Sequence, residues 1–355
     1  MRGSMDVNIR KKLGEFTLDV NFSTEKSRLG ILGASGSGKS ITLKCIAGIV
    51  KPDEGRIVVN GRVLFDSKKK INIKPQKRKV GYLFQDYALF PTFTTYENIA
   101  SGLKYKGTRR REKVEGLIKQ FSLDGLEKHY PHQLSGGQQQ RTALARIVAC
   151  GPDLILLDEP FSALDSHLRN QIQQETRGIL NNYDNSVMVT HNRDEAYRIC
   201  TDLLILDAGR VVASGKTEQL FENPGTVTAA KLTGCKNISR AERIGEFELR
   251  ALDWGGLLVK ANTPVGDDIS HVGVRAHFFV PVSSNDGEVA NLFRINVKEM
   301  VAAPFEMQVV FTNAEAGAEH TQNEVFWEYA KNSIASIPEY LRIPPEHLLL
   351  LKDDH

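Results

Sequence analysis

Two kinds of hydrophobic pattern alternate along this chain. The stretches "RLGIL" (28–32), "DLILLD" (153–158), "SVMVTH" (186–191) and "DLLILD" (202–207) are short and almost continuously apolar. Such runs predict parallel strands buried on both faces of a sheet. Between them apolar positions recur at helical spacing: after residue 40, from Ser166 to Asn182, and in "RDEAYRIC" (193–200). From about Thr94 to Cys150 the pattern is also helical, interrupted by "YPHQLSGG" (130–137). Nearer the start, "DVNIRKK" (6–12), "FTLDVNF" (16–22) and "GRIVVNGRVLF" (55–65) read as short strands, and "KVGYLFQ" (79–85) adds another. Asn60-Gly61 inside the third predicts a tight hairpin turn. This order predicts an α/β domain with a mostly parallel sheet, an antiparallel β part and a helical insert at about 86–150.

A change of texture follows "ENPGTVTAAKLTGCKN" (222–237). Beyond it come short alternating segments, among them "FELRAL" (247–252), "HVGVRAHFFV" (271–280) and "EVFWEYA" (324–330), punctuated by Gly, Pro and Asn. The boundaries expected are a first domain at 5–235 and a small, mainly β domain at 236–355. A length of 355 residues agrees with two cores rather than one.

Composition adds exclusions. With 41% hydrophobic and 25% charged residues the chain is ordinary for a globular protein. A net charge of +3 is too small to argue for nucleic acid. The basic runs "KKKINIKPQKRK" (68–79) and "RRREK" (109–113) read as solvated faces. No apolar stretch approaches the ~20 residues that span a bilayer, and no secretory signal core is present, so a membrane role requires a partner. The four cysteines show no C-x-x-C spacing. Cys45, Cys150 and Cys200 sit in apolar-periodic segments and are expected as buried thiols in a reducing cytoplasm.

Three stretches carry candidate chemistry. In "LGILGASGSGKSITLKCIAG" (29–48) an apolar strand gives way to a helix through a loop holding Gly33, Ser35, Gly36 and Gly38, then Lys39 and Ser40. Loop amides and a helix N-terminus favour phosphate, Lys39 would reach the β- and γ-phosphates, and the Ser40 hydroxyl would ligate Mg²⁺. "LILLDEP" (154–160) brings two carboxylates to the end of a buried strand. Asp158 would hold Mg²⁺ through its water shell and Glu159 would orient or deprotonate an attacking water. "LSGGQQQR" (134–141) sets Ser135, Gly136 and Gly137 at the start of another helix. It reads either as a second anion-binding device, serving a nucleotide held by another subunit, or as a plain helix cap.

Taken together, these motifs resemble those of the ATP-binding cassette (ABC) ATPases over roughly residues 5–235. The phosphate loop looks like Walker A, "LSGGQQQR" like the family signature and "LILLDEP" like Walker B. Gln85 looks like the Q-loop glutamine, "SALD" (162–165) like the D-loop, and His191 like the switch histidine. All six stand in the family's order. Phe16 occupies the place of an aromatic that stacks on adenine, though Phe in an alternating strand also suits a core. The resemblance implies a P-loop NTPase (RecA-like) cassette that uses ATP and Mg²⁺ and pairs head to tail as a homodimer. It implies Glu159, His191 and Gln85 as catalytic, with Ser40, Gln85 and Asp158 around the metal. Nucleotide contacts would come from Phe16, Gly33, Ser35, Gly36, Gly38, Lys39, Ser40, Ser135, Gly136, Gly137 and Asp165.

Lacking spans of its own, such a subunit would act on separate permease subunits at the cytoplasmic face of the membrane, and indirectly with an external solute-binding protein. "QDYALFPTFTTYENIA" (85–100) resembles the permease-contacting stretch of import ATPases, placing that contact near residues 85–97. Tyr87, Leu89, Phe90, Phe93 and Tyr96 read either as anchors there or as packing inside the helical insert. "HVGVRAHFF" (271–279) resembles a strand of the oligomer-binding-fold domain carried by import ATPases for molybdate, sulfate, ferric iron and polyamines, although its Phe pair departs from the family's usual residues. "LTGCKNIS" (232–239) and "PPEHLLLL" (344–351) resemble the molybdate/tungstate branch. Oxyanion import, molybdate favoured, is therefore expected; sulfate, ferric iron, polyamine or sugar uptake are the alternatives. The tail either senses the anion or stiffens the dimer. Rival classes are a non-transport ABC ATPase and a regulatory binding module; neither a second cassette nor a basic, aromatic-interleaved face supports them, and no nucleic-acid partner is expected.

Overall fold

The computed structural model describes residues 4–162, 164, 166–282, 290–316 and 323–354, with 166–168 as backbone only. The chain divides into two compact units, Met1–Glu218 and Gln219–His355.

The first unit is organised by one sheet. Its strands are β1 (Ser4–Leu13), β2 (Phe16–Glu25), β3 (Arg28–Leu32), β4 (Glu54–Val59), β5 (Arg62–Asp66), β6 (Ile71–Asn72), β7 (Val80–Leu83), β8 (Leu154–Asp158), β9 (Ser186–Thr190), β10 (Asp202–Asp207) and β11 (Arg210–Lys216). They lie in the order β6-β5-β4-β1-β2-β11-β10-β3-β9-β8-β7. The helices are α1 (Lys39–Ala47), α2 (Thr95–Ser101), α3 (Gly107–Gln120), α4 (Gly136–Ala149), α5 (Ser166–Leu180) and α6 (Arg193–Ile199).

Strands β10, β3, β9, β8 and β7 pair in parallel, and every residue of β8 and β9 is buried. The continuous apolar runs have a direct cause in this packing. Leu154 and Leu156 face a core shared with Ile31, Leu43 and Ile46, while Ile155 and Leu157 face a second core with Leu83, Leu144 and Phe161. Antiparallel pairing joins β1 to β2 and β4, and β4 to β5. Between β4 and β5, Asn60 and Gly61 have φ of 52° and 76°. A two-residue turn with both φ positive matches the twist of the flanking strands, and Asn-Gly tolerates it best.

Two expectations are corrected here and one open reading is decided. Arg78, in a run read as solvated, is 2% exposed. Its guanidinium donates to the carbonyls of Cys45 (2.9 Å), Ile46 (2.7 Å) and Ile73 (2.8 Å) and to Asn72 Oδ1 (2.9 Å). It thus adds donors to carbonyls of the last turn of α1, where the Cys45 carbonyl also accepts from the Gly48 amide at 3.1 Å, and complements the negative end of that helix. Cys150, expected buried, is exposed at the C-terminus of α4. Of the two readings left open for Tyr87, the structure supports packing: it is a core residue at 3% exposure.

The second unit holds β12 (Asn237–Arg243), β13 (Glu248–Ala251), β14 (Leu257–Lys260), β15 (His271–Val274), β16 (Val280–Val282), β17 (Leu292–Ala302), β18 (Glu306–Asn313), β19 (Val325–Ala330), β20 (Tyr340–Arg342) and β21 (Leu349–Leu351). They form two five-stranded sheets, β14-β13-β12-β15-β21 and β16-β20-β17-β18-β19. Both sheets contribute to one core containing Trp254, Phe279, Phe293, Phe311 and Trp327. Phe293 and Phe311 meet edge to face, centroids 5.6 Å apart at 86°, a geometry the ring quadrupoles favour. "HVGVRAHFFV" is not one strand: β15 ends at Val274 and a turn over Ala276–Phe278 precedes β16. The short helix Val227–Leu232, placed with the first domain by sequence, packs with Cys235, Leu349 and Leu351 of the second unit.

Candidate nucleotide-binding site

The buried strand β3 ends where the loop 33–38 begins, and α1 starts at Lys39. Gly38 stands at the N-cap with φ 103°, and no side chain caps this helix. A β-carbon there would meet Leu18 Cδ1 at 2.6 Å and Phe16 Cζ at 3.1 Å, so only glycine fits both the dihedral and the space. The same contact sets the Phe16 ring beside the loop, where it also packs against the core. Ser35 and Gly36 are exposed at the loop tip, and Gly33 is buried at its base.

Lys39 is 5% exposed. Its ammonium donates to the carbonyls of Gly33 and Ala34, both at 2.8 Å. Burial pulls its pKa below the usual lysine range, and the nearby carboxylates of Glu159 and Asp158 oppose that shift. Ser40 Oγ donates to Asp158 Oδ1 at 2.7 Å, and the Tyr82 hydroxyl donates to Asp158 Oδ2 at 2.7 Å. Asp158 is 6% exposed, so both its oxygens are held in a largely dry place. Burial, then the hydrogen bond to Asp158, push the Tyr82 hydroxyl pKa well up and keep it a donor.

Glu159 follows β8 with φ 46°, an uncommon dihedral for a residue bearing a β-carbon. Its amide donates to Val189 O at 3.1 Å, and Ser162 Oγ donates to its carbonyl at 2.9 Å. These two bonds hold the turn. The Glu159 carboxylate stands 3.3 Å from His191 Nδ1, and the His191 side chain is 61% exposed. Beside His191, Thr190 Oγ1 donates to Glu195 Oε2 (2.6 Å) and accepts from the Asn192 amide (3.0 Å), while the Asn192 side chain caps α6. Gln85 is exposed just past β7.

Ser135 presents a different picture. It caps α4 reciprocally: its Oγ accepts from the Gln138 amide at 3.3 Å, and Gln138 Oε1 accepts from the Ser135 amide at 2.9 Å. Gly136 and Gly137 form the first turn, with Gly137 buried against Ile172. No hydrogen bond among the described residues joins this turn to the loop 33–40. Asp165 lies outside the described residues. The structure therefore brings Lys39, Ser40, Asp158, Glu159 and His191 together within one chain, with Phe16 at the loop's flank, and leaves Ser135 separate.

Sequence reading overlooked Tyr82 and Arg78. Tyr82 alternates with Gly81 and Leu83 in a short strand and gave no signal beyond a half-buried aromatic; Arg78 was hidden among lysines.

These groups suit a nucleotide with its metal. The uncapped helix start and buried ammonium suit phosphate oxygens. A hydroxyl and a carboxylate side by side are hard oxygen donors of the kind Mg²⁺ takes alongside substrate phosphates. Among the described residues no cluster of three or more His, Cys, Asp or Glu could hold a metal unaided.

Comparisons with known proteins point the same way. Residues 17–162 match the family model described as ABC transporter. The chain is 38% identical over 238 residues to a sulfate/thiosulfate import ATP-binding protein of Synechocystis, covering 65% of each. It is 35% identical over 287 residues to an Fe(3+) ions import ATP-binding protein of Haemophilus influenzae, covering 79% of this chain and 80% of the relative. A molybdenum import ATP-binding protein of Paramagnetospirillum magneticum is 33% identical over 282 residues, 77% of each. Among solved structures, a dimeric post-hydrolysis state of the ATP-binding cassette MJ0796 with ADP and Pi superposes with a TM-score of 0.51 at 32% identity. It covers 60% of this chain and 98% of that one.

Proposed function

Because this chain belongs to the ABC transporter family, among its import ATPases, we propose that it is the ATP-hydrolysing subunit of an oxyanion importer, with molybdate the favoured cargo. The observation that carries the catalytic part is the single-chain assembly of Lys39, Ser40 and Asp158 with the Glu159–His191 pair 3.3 Å apart. Lys39 exchanges its loop carbonyls for phosphate oxygens. Ser40 and Asp158, with Gln85 from the end of β7, hold Mg²⁺, which neutralises phosphate charge when bound. Glu159 takes a proton from the attacking water, and His191 orients that carboxylate and contacts the γ-phosphate. Phe16 stacks on the adenine.

Two copies pair head to tail, so that Ser135, Gly136 and Gly137 of one, with Asp165, close on the nucleotide of the other. The dimeric state of the MJ0796 cassette with ADP and Pi supports this pairing. Relatives named for sulfate, ferric iron and molybdenum support import and leave three cargoes in contention. Among the described residues no helix is long and apolar enough to cross a membrane, in keeping with separate permease subunits. Phe90 and Phe93 are the anchors for them: 46% and 39% exposed, with ring centroids 5.1 Å apart. Leu89 and Tyr96 pack instead against the insert's core.

Glu159→Gln tests the catalytic assignment. Steady-state ATP turnover should fall by ~10²–10⁴-fold while ATP binding persists. Turnover within twofold of the parent would remove Glu159 from the reaction. Cargo is tested in the complex with its permease, where turnover should rise with binding protein loaded with molybdate above that with sulfate or ferric iron.

A further inference from the structure

We propose that Tyr82 is a positioning residue that fixes the Asp158 carboxylate so that it and Ser40 present one prearranged oxygen face to the metal. The inference rests on the reading of Asp158 as a metal-side carboxylate. A carboxylate on a single bond rotates broadly about its last torsion. Here two donors bind its opposite oxygens at equal distance, Ser40 Oγ on Oδ1 and the Tyr82 hydroxyl on Oδ2, each at 2.7 Å. Together they set the plane of the group. The two donors differ in duty. A serine hydroxyl carries one proton and two lone pairs, so Ser40 can donate to Asp158 and still ligate a metal. Tyr82 serves the carboxylate alone.

The fold explains why a tyrosine reaches this place. Tyr82 pairs with Leu156 in the parallel β7–β8 ladder, two residues before Asp158. Side chains two apart share a face of a strand, and Leu156, Val80 and Tyr82 pack in the core that includes α1. Tyr82 and Asp158 therefore lie on the face of the sheet that carries the phosphate loop. The ring is half-buried and leans on Phe84, centroids 4.4 Å apart. Its hydroxyl is thus carried by a strand in the sheet, the kind of rigid support that holds site geometry. Outer partners of metal-holding groups commonly govern metal affinity by ~10–100-fold.

The test compares the full chain with Tyr82→Phe, Asp158→Asn and Phe84→Leu. ADP affinity is measured by calorimetry in EDTA and again in Mg²⁺, and Mn²⁺ affinity of the ADP complex by electron paramagnetic resonance. Tyr82→Phe should weaken Mn²⁺ binding by about tenfold or more and shrink the Mg²⁺-dependent gain in ADP affinity, with ADP affinity in EDTA within twofold of the parent. Phe84→Leu, which disturbs the ring contact alone, should keep the parent's metal affinity. Parent-like metal binding in Tyr82→Phe, with loss in Asp158→Asn, would overturn the role of Tyr82 and leave that of Asp158 standing. Parent-like metal binding in Asp158→Asn would overturn the reading beneath it. An equal loss in Phe84→Leu would reduce the effect to packing and defeat the proposal.

Discussion

Two helices in the first unit begin with small residues, and they begin differently. At α1 the N-cap is Gly38, no side chain satisfies the first amides, and the buried Lys39 ammonium rests on its own loop's carbonyls. At α4 the N-cap is Ser135, locked in a reciprocal box with Gln138. A helix start leaves up to four amides without intrahelical partners. The first helix keeps these for a ligand; the second spends one on its own serine. The two starts differ in their surroundings as well: that of α1 lies near two carboxylates and a histidine of its own chain, whereas that of α4 is already closed by its own serine and glutamine.

The largest effect expected from breaking this contrast is at Lys39. Lys39→Ala removes the buried ammonium at the uncapped helix start, and ATP turnover should fall by ~10²-fold or more, since a single lost donor to developing charge commonly costs that much. Unchanged turnover would remove Lys39 from the site. A pair of variants at Ser135 sharpens the other side. Ser135→Ala loses the cap and should lower unfolding free energy by about 1 kcal/mol, read by urea denaturation. Ser135→Asp preserves the cap yet sets a negative charge at the helix start; stability should hold while ATP-dependent pairing fails. Pairing that survives Ser135→Asp would mean that Ser135 is a cap and nothing more.

The smallest effect expected lies in the second unit. Asp253, 7% exposed, accepts from the Arg240 guanidinium at 2.7 Å and from the Arg240 amide at 2.8 Å. Arg240, first through its side-chain hydrogen bond, holds the Asp253 carboxyl below the usual carboxylate range. A carboxyl whose folded pKa is depressed stabilises the fold above its unfolded value near 4 and loses that contribution as the pH falls through the folded value. Thermal unfolding of the parent should therefore lose part of its stability on acidification below about pH 4, and Asp253→Asn should flatten that segment of the curve. An unaltered acid limb would show the pair to be idle.

Much of this was legible before any coordinates. Continuous apolar runs announced β8 and β9 because parallel strands buried on both faces have no polar side to alternate with. Asn60-Gly61 announced its turn through the dihedrals it requires. The motif residues Lys39, Ser40, Asp158, Glu159 and His191 came out together because strand ends and helix starts at one sheet edge converge. What escaped depends on long-range contact. Arg78 sits in a lysine-rich run, and only the fold brings it under the last turn of α1. Tyr82 looks like any strand aromatic until Asp158 arrives 76 residues later. Tyr87 and Phe90 are near neighbours of similar hydrophobicity, yet one is core and the other exposed, a difference set by a backbone turn with φ of 60° at Tyr87 and 42° at Ala88.

The decisive measurement is sedimentation of Glu159→Gln with and without saturating ATP and Mg²⁺. A shift from monomer to dimer that needs the nucleotide, and disappears when Ser135→Asp is added, is the predicted result. A species that stays monomeric with ATP bound, or pairs equally well without it, would contradict the claim that the finished helix of one copy completes the open helix of the other.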